Sequence, residues 1–449
     1  MIPLNLEDVL ERLQIALDNN NLVEARDILQ TLRPPDQAEL LAELEDEEQA
    51  AILPQLQPAE SAAILEEMDN TAATELLSAL PPATAARIIN EMEPDDAADV
   101  LGGMEPAQVS AFLDVLEDPE EIRPLLLHPD DSAGGLMTSS FLALRRRMMA
   151  AEAIEAIRAW KLDEETIFHL FVVDAHGKLV GVVSLPRLIM VDPREVVGQI
   201  MDPEVISVPV GTDQEACAQL MARYDLLTLP VVDNAGILLG VITIDDVVDV
   251  LEEEATEDIQ RLGATEPLDR PYLDTSVLTI TRKRIGWLLL LFLTETLTGS
   301  VLRFFSGELE AVVALAFFVP LLIGTGGNAG SQTTSTIIRA LAVGDIDTRD
   351  VLYAFWHELR TGLLLGLGMG VIAFGRALLW GTGDQIALAV SVSIFFIVVW
   401  ANGLGSLLPL LAARLRIDPT VISGPAMSTL VDATGLFIYF TVARLILKL

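Results

Sequence analysis

The chain has 449 residues, 51% of them hydrophobic and 21% charged, with a mean hydropathy of +0.45 and a formal net charge of −38. That is too apolar for an ordinary soluble protein and too charged for a bare membrane bundle, so the two properties must sit in different segments. From Val277 onward there are 12 Lys/Arg and 10 Asp/Glu, whereas the residues before it carry 16 Lys/Arg and 56 Asp/Glu, a net of −40. Such a segment repels nucleic acid and anionic lipid and attracts cations. It is either solubility charge or a cation sensor. A single cysteine, Cys217, excludes internal disulfides and falls in a helical pattern as a small core residue. The opening Met1-Ile2-Pro3-Leu4-Asn5-Leu6-Glu7-Asp8 has neither a basic start nor a long apolar run. It does not read as a signal peptide, so the N-terminal half is expected in the cytosol.

Residues 1–130 repeat every twelve positions. Leu44, Leu56, Met68, Leu80, Met92, Met104 and Leu116 are apolar, as are Leu41, Leu53, Leu65, Leu77, Ile89, Leu101 and Leu113 three positions earlier. Small residues precede those by three more: Ala38, Ala50, Ala62, Thr74, Ala86, Ala98 and Ser110. This spacing marks one face of a helix. Pro58, Pro81, Pro82, Pro94 and Pro106 fall at repeat boundaries and suit helix starts. Asp69, Asp95 and Asp96 are expected in first turns, where the helix dipole favours acids. A stack of short helices, an α-solenoid, is predicted.

Residues 131–256 contain a second repeat with a period of 59. Phe171-Val172-Val173-Asp174 recurs as Pro230-Val231-Val232-Asp233, and Gly181-Val182-Val183-Ser184-Leu185 as Gly240-Val241-Ile242-Thr243-Ile244. Each copy reads as strand, turn (His176-Gly177 or Asn234-Ala235-Gly236), strand and helix, with Met137-Thr138 and Met201-Asp202 expected to open the two copies. The unit resembles a tandem pair of CBS domains. That resemblance implies dimerisation and an adenosine-nucleotide signature, Gly-x-x-Ser/Thr-x-x-Asp, whose Asp holds the ribose hydroxyls. The second copy has Gly240, Thr243 and Asp246; the first has Gly181 and Ser184 but Arg187 in third place. Asp246 is therefore either a ribose ligand for ATP or a helix-start acid beside Asp245.

Residues 245–276 form an acidic connector. Asp245, Asp246, Asp249, Glu252, Glu253, Glu254, Glu257 and Asp258 alternate with the apolar Val247, Val248, Val250, Leu251, Ile259 and Leu262, and Gly263, Pro267 and Pro271 end the pattern. Eight acids in fourteen positions repel one another, and nearby cations would relieve that. A long acidic helix between a sensor and a membrane could transmit force; it could also be a solvated linker.

From 277 to 449, five apolar segments long enough to span a bilayer fall near 284–305, 310–340, 355–380, 385–412 and 420–447. With the N-terminus inside, Arg282, Lys283, Arg284, Arg339, Arg349, Arg360, Arg414 and Arg416 lie on the cytosolic side, against Arg303, Arg376, Arg444 and Lys448 outside. Ionisable groups at membrane depth mark function. Asp432 sits within the last segment, after Ser423-Gly424-Pro425 and before Gly435. The second segment carries Pro320 and then Gly324-Thr325-Gly326-Gly327-Asn328-Ala329-Gly330-Ser331-Gln332, too polar to face lipid. Gly424, Pro425 and Gly435 are expected to loosen the last helix and free carbonyls toward a pore, and the glycine-rich stretch of the second to line the pore or pack tightly. Glu295 in the first segment reads as a pore group, a proton-coupling group or a structural residue, and Asn402 in the fourth as structural.

The membrane segment has no Cys, Met cluster or His pair to suit a soft metal. An isolated carboxylate with hydroxyls and carbonyls suits a hard cation such as Mg2+, held through its water shell. Two Asp432 side chains facing each other across a dimer axis would form such a ring. An inside-negative potential would drive a doubly charged ion inward by about 4.6 kcal/mol per 100 mV. No Walker A sequence and no nucleophile–base pairing occurs, so an enzyme is not expected. A proton-coupled secondary transporter built on Glu295 and a membrane-anchored nucleotide sensor are the competing readings.

The order of helical repeat, CBS pair, acidic helix and five membrane helices, with Pro320, Gly327-Asn328-Ala329-Gly330-Ser331-Gln332, Gly424-Pro425, Asp432 and Gly435, resembles the MgtE family of magnesium transporters. The resemblance implies a multidomain membrane protein. Its parts would be an N-terminal α-solenoid (1–130), an α/β CBS-domain pair (131–256), a connecting or plug helix (245–276) and a five-helix all-α transmembrane domain (277–449). It implies a homodimeric Mg2+ channel in the bacterial inner membrane that closes when cytosolic Mg2+ is high, with Asp432 as the selectivity acid and Asp418 joining a Mg2+ site with the plug. The sensor ligands are placed at Asp95, Asp96 and Asp99 of the helical domain, Glu215 and Asp225 of the CBS pair, and Asp246, Asp249, Glu253, Glu257 and Asp258 of the connector. Lipid, Mg2+ and a second copy are the expected partners, and nucleic acid is not.

Overall fold

The structure, a computed structural model, describes residues 6–160, 168–268, 272–273 and 275–449. Residues 1–5 and Pro271, used above, lie outside that range. The chain divides into two compact units, Met1–Glu252 and Glu253–Leu449.

The first unit opens with ten short helices: α1 (Leu6–Asp18), α2 (Leu22–Leu29), α3 (Pro34–Ala42), α4 (Asp46–Ile52), α5 (Pro58–Glu66), α6 (Asn70–Ala79), α7 (Pro82–Ile89), α8 (Pro94–Gly102), α9 (Pro106–Leu113) and α10 (Pro119–Ile122). Six begin on proline, where the missing N–H has no intrahelical partner to lose. Asp69 departs from its expected place. It lies one residue before α6 and accepts from the amides of Thr71 (3.0 Å) and Ala72 (3.2 Å), so it caps the helix from outside. The twelve-residue apolar positions from Leu44 to Leu116 are all buried. The pattern weakens in the last repeat, where Leu113 is half-buried and Ser110 exposed.

Two three-stranded sheets follow. β1 (Ala143–Arg145) pairs parallel to β2 (His169–Val173), which pairs antiparallel to β3 (Leu179–Ser184). β4 (Val208–Pro209), β5 (Thr228–Val232) and β6 (Leu238–Thr243) repeat that arrangement. The period is visible in the register, since His169 faces Ser184 as Thr228 faces Thr243. The repeated acids close the turns: Asp174 accepts from the amides of His176 and Lys178, and Asp233 from those of Ala235 and Ile237. Helices α11 (Ala150–Ala159), α12 (Leu185–Met190), α13 (Val197–Ile200) and α14 (Gln214–Tyr224) accompany the sheets, and Cys217 on α14 is fully buried. The segments expected to open the two copies behave differently. Met137-Thr138 and Met201-Asp202 each serve the other copy. Thr138 exchanges backbone hydrogen bonds with Val241 of β6, and Asp202 does so with Val182 of β3. The apparent openers are exchanged between the copies.

The long helix α15 (Ile244–Leu262) contains the boundary between the units. Beyond it, five helices are long and apolar enough to cross a membrane. They are α16 (Val277–Phe304), α18 (Val319–Ala342, entered through a tight turn from Val313), α19 (Val351–Leu379), α20 (Asp384–Arg414) and α21 (Gly424–Leu447), with the short α17 (Ser306–Ala311) after the first. Gly362, Gly366 and Gly370 let α19 lie against α20: a Cβ on each would meet Asn402, the Phe395 carbonyl and the Ser391 carbonyl at 3.0, 2.9 and 3.1 Å. Pro320 and Pro425 sit in the first turns of α18 and α21 and do not loosen either ladder. The free carbonyls expected of the last helix are not created there, because a first-turn proline removes no helical hydrogen bond.

A Cβ at Gly240 would fall 2.6 Å from the Thr138 carbonyl oxygen, whereas one at Gly211 would meet nothing within 4 Å. Gly240→Ala is expected to destabilise the first unit by roughly 1–3 kcal/mol. Gly211→Ala should leave the thermal melt nearly unchanged; equal melting of the two variants would contradict the exchanged pairing.

Candidate cation sites

In the first unit, acids from three helices converge. α8 contributes Asp95, Asp96 and Asp99, preceded by its cap residue Glu93. α15 brings Asp245, Asp246 and Asp249 in its first turns, and the end of α5 brings Glu66 and Glu67. Asp95 is 7% exposed, and its Oδ1 has no hydrogen-bond partner. Burial, and then the fields of Asp246, Asp96 and Glu93, hold its carboxyl well above the usual carboxylate range. Burial and the facing Glu66, Asp246, Glu93 and Asp99 push Asp96 up to about 9. Asp246 is pushed up to about 6, again mainly by burial, against the stabilising hydrogen bond from Thr243. Asp249 is raised by burial, then by Asp245 and Glu252. Glu67 is raised by burial, then by Asp249 and Asp245.

Glu66, Glu67, Glu93 and Asp245 are not among the sensor ligands expected from the sequence. Stacking of the repeat joins residues 27 to 30 apart. The Glu93 amide donates to Glu66, Asn70 to Asp99, the Glu117 amide to Asn90, and Gln30 to Glu60. That recurring separation is the signal by which they could be found. Glu215 and Asp225 are not brought together. They sit at opposite ends of α14, some 15 Å apart at the helical rise. Asp225 adopts a left-handed conformation (φ 51°) where α14 ends, which a short polar side chain tolerates.

In the second unit, the end of α15 lies at the cytosolic ends of the membrane helices expected from the charge bias. Arg261 forms ion pairs with both Glu257 and Asp418. Asp418 has both oxygens engaged, Oδ2 with Arg261 and Oδ1 with the amide (2.8 Å) and hydroxyl (2.7 Å) of Thr420. Burial and the Asp418 carboxylate raise Asp258, while Arg261 and Arg339 oppose that shift. Asp418 is joined to the connector by Arg261, a residue with no role expected from the sequence. Glu253 also belongs to this unit.

At membrane depth, Asp432 on α21 faces the glycine-rich stretch of α18. A Cβ on Gly327 would stand 3.1 Å from Ser428 Oγ and 3.6 Å from Asp432 Oδ1, and one on Gly326 would be 2.8 Å from Val431. Ser331 reaches across to the Gly424 carbonyl (3.1 Å) and Ser428 (3.2 Å). The Oδ1 of Asp432 is buried and has no hydrogen-bond partner. Glu295 on α16 is the charged neighbour whose field reaches it. Asn402 is buried, accepting from Thr333 (2.8 Å) and donating to the Val398 carbonyl, as a structural residue would. Among the described residues, no three His, Cys, Asp or Glu side chains converge closely enough to hold a metal ion.

The nucleotide signature has its own geometry. Thr243 Oγ1 donates to Asp246 Oδ2 at 2.5 Å, and the Thr243 amide donates to the same oxygen at 3.4 Å. In the first copy Arg187 is exposed and the next residue, Leu188, is fully buried.

A helical domain, a CBS pair and five apolar helices that include an acid with an unpartnered oxygen define a multi-pass membrane transporter of cations. Residues 319–442 match the MgtE family of divalent cation transporters, residues 32–131 the MgtE intracellular N domain, and residues 133–193 and 197–253 CBS domains. The chain is 47% identical to the magnesium transporter MgtE of Thermus thermophilus over 73% of each chain, and 32% identical to that of Bacillus subtilis over 73% of this chain and 72% of the other. It also resembles a solved cytosolic domain of the Mg2+ channel MgtE in complex with ATP, with 39% identity and a TM-score of 0.50 over 53% of this chain and 98% of that one. The chain belongs to the MgtE family of magnesium transporters, which are not enzymes, and Mg2+ is its transported ion.

Asp96 ordinarily titrates near 3.8 and is pushed to about 9 in the fold. Its contribution to stability is therefore complete at acid pH and is lost as pH rises between these values. Asp96→Asn is expected to raise the melting temperature of the cation-free protein at pH 7–9, by about 2–4 °C per kcal/mol of repulsion relieved, with the gain vanishing near pH 4. A gain that grew toward low pH would contradict the assignment.

Proposed function

We propose that the protein imports Mg2+ across the bacterial inner membrane as a homodimeric channel, with its N-terminal half in the cytosol, and closes when cytosolic Mg2+ is high. The observation that carries the transport site is the Asp432 oxygen left buried without a donor, on a seam of glycines and hydroxyls between α18 and α21. One carboxylate does not strip Mg2+ of its water, but it can hold the hydrated ion, and Ser331 and Ser428 lie on the same seam to receive the water shell. A second copy would supply a second Asp432 and complete a negative ring. The membrane potential would then drive the ion inward.

Closure follows from the acids on α8 and α15. Without cation, Asp95, Asp96, Asp99, Asp246 and Asp249 repel one another at short range in a partly dry setting. A divalent ion between them converts repulsion into attraction and draws α15 onto the helical domain. At the other end of α15, Arg261 joins Glu257 to Asp418 and the field of Asp418 reaches Asp258, so the state of the sensor would reach the membrane helices through one continuous helix. Glu215, Asp225 and Glu253 remain as outer acids that would add to the attraction for Mg2+ without sharing one ion.

The field of Glu295 at Asp432 supports a second reading, proton-coupled divalent-cation transport through the acid pair. One flux assay in proteoliposomes separates the two. Uptake should follow membrane voltage and survive collapse of the proton gradient, and Asp432→Ala should lower it at least tenfold while the protein still folds. Undiminished uptake by Asp432→Ala would reject the site, and uptake abolished with the gradient would favour coupling.

Limited proteolysis reads the sensor directly. Millimolar Mg2+ is expected to slow cleavage of the cytosolic half several-fold, and combining Asp95→Asn with Asp246→Asn should remove most of that protection. Cleavage indifferent to Mg2+ would sink the closure mechanism.

A further inference from the structure

The cytosolic domain of one family member was solved with ATP bound, so the same ligand is implied for this chain. The residues present do not suit it. The signature that marks nucleotide-binding CBS pairs places a carboxylate third, where it accepts from both ribose hydroxyls. We infer that neither copy in this chain clamps a ribose, and that its CBS pair does not take ATP as a regulatory ligand.

The first copy lacks the acid. Arg187 stands in its place, exposed, and a guanidinium has donors only. It cannot accept the two hydroxyl protons that a carboxylate takes. The second copy has the acid, but one of its two oxygens is already engaged. Asp246 Oδ2 receives the hydroxyl and the amide of Thr243, which ends β6 where α15 begins. Threonine and aspartate thereby close a helix start, a role these residues fill without a ligand. The field of Asp246 acts on Asp95 and Asp96 of α8, and those of Asp245 and Asp249 act on Asp246. A triphosphate carried there would meet this cluster of acids.

The signature glycines have a structural cause as well. A Cβ at Gly181 would lie 2.5 Å from Met201 Sδ and 3.0 Å from the Asp202 carbonyl oxygen, and one at Gly240 would lie 2.6 Å from that of Thr138. Both positions are glycine because the exchanged segments pass directly over them. Backbone pairing and helix capping thus account for the glycines of both copies and for the threonine and aspartate of the second.

Loss of ribose clamping does not depend on whether the chain carries Mg2+. The full-length protein in detergent is to be tested by equilibrium filter binding of radiolabelled ATP from 10 μM to 2 mM, with the ATP-binding family member as positive control. The expected result is no saturable binding to this chain under conditions where the control saturates. Mg2+-dependent protease protection, measured on the same sample, should be identical with and without 1 mM ATP at matched free Mg2+. Saturable binding near one ATP per chain, or a shift of more than about twofold in the Mg2+ needed for protection, would overturn the inference.

Discussion

A carboxylate oxygen buried without a donor is destabilising, since desolvating a charge has a cost that nothing in the protein returns. Among the described residues there are two, Oδ1 of Asp95 and Oδ1 of Asp432, one in each compact unit. Much of the surrounding architecture serves to keep them. The glycine run of α18 brings α21 close while adding no donor for Asp432. The stacking of α5, α6 and α8 sets Glu66 and Glu93 beside Asp96, and the start of α15 adds Asp246. Both places are short of positive charge, and both are of the hardness that Mg2+ prefers. Transport and sensing are, at this level, the same requirement met at two depths.

Most of the architecture is legible in the sequence because its periodicities are strict. The twelve-residue repeat locates the solenoid, and the period of 59 reappears as the register of two sheets. Five apolar runs become five helices with ends shifted by up to nine residues. Asp432 stands out because an acid inside an apolar run is costly to keep in a bilayer and persists where the ion pathway needs it.

What the sequence conceals is long-range pairing. A period of twelve says nothing of which helices stack, so Glu66 and Glu93, 27 positions apart, are not linked by it. The exchange of Met137-Thr138 and Met201-Asp202 is hidden because proximity in sequence suggests the wrong copy. Nothing in the sequence shows that Glu215 and Asp225 stand at opposite ends of one helix, as α14 places them. Arg261 reads as the end of an acidic run, yet it is the cation that Asp418 and Glu257 already share. Proline misleads in the membrane, since Pro425 starts a helix where a break is expected, whereas the glycines of α18 pack against α21, one of the two roles expected of them.

The exchanged segments carry a consequence for how the first unit must come apart. Each CBS copy is completed by a strand-like piece belonging, in chain order, to its twin. A fragment cut between Pro193 and Val197 would therefore strip β3 of its Asp202 partner and leave Gly181 bare. The other fragment would lose Thr138 from β6. Neither duplicate could have been a finished domain by itself. Their melting should be a single cooperative event, and the covalent duplication is a condition of the fold as well as its history.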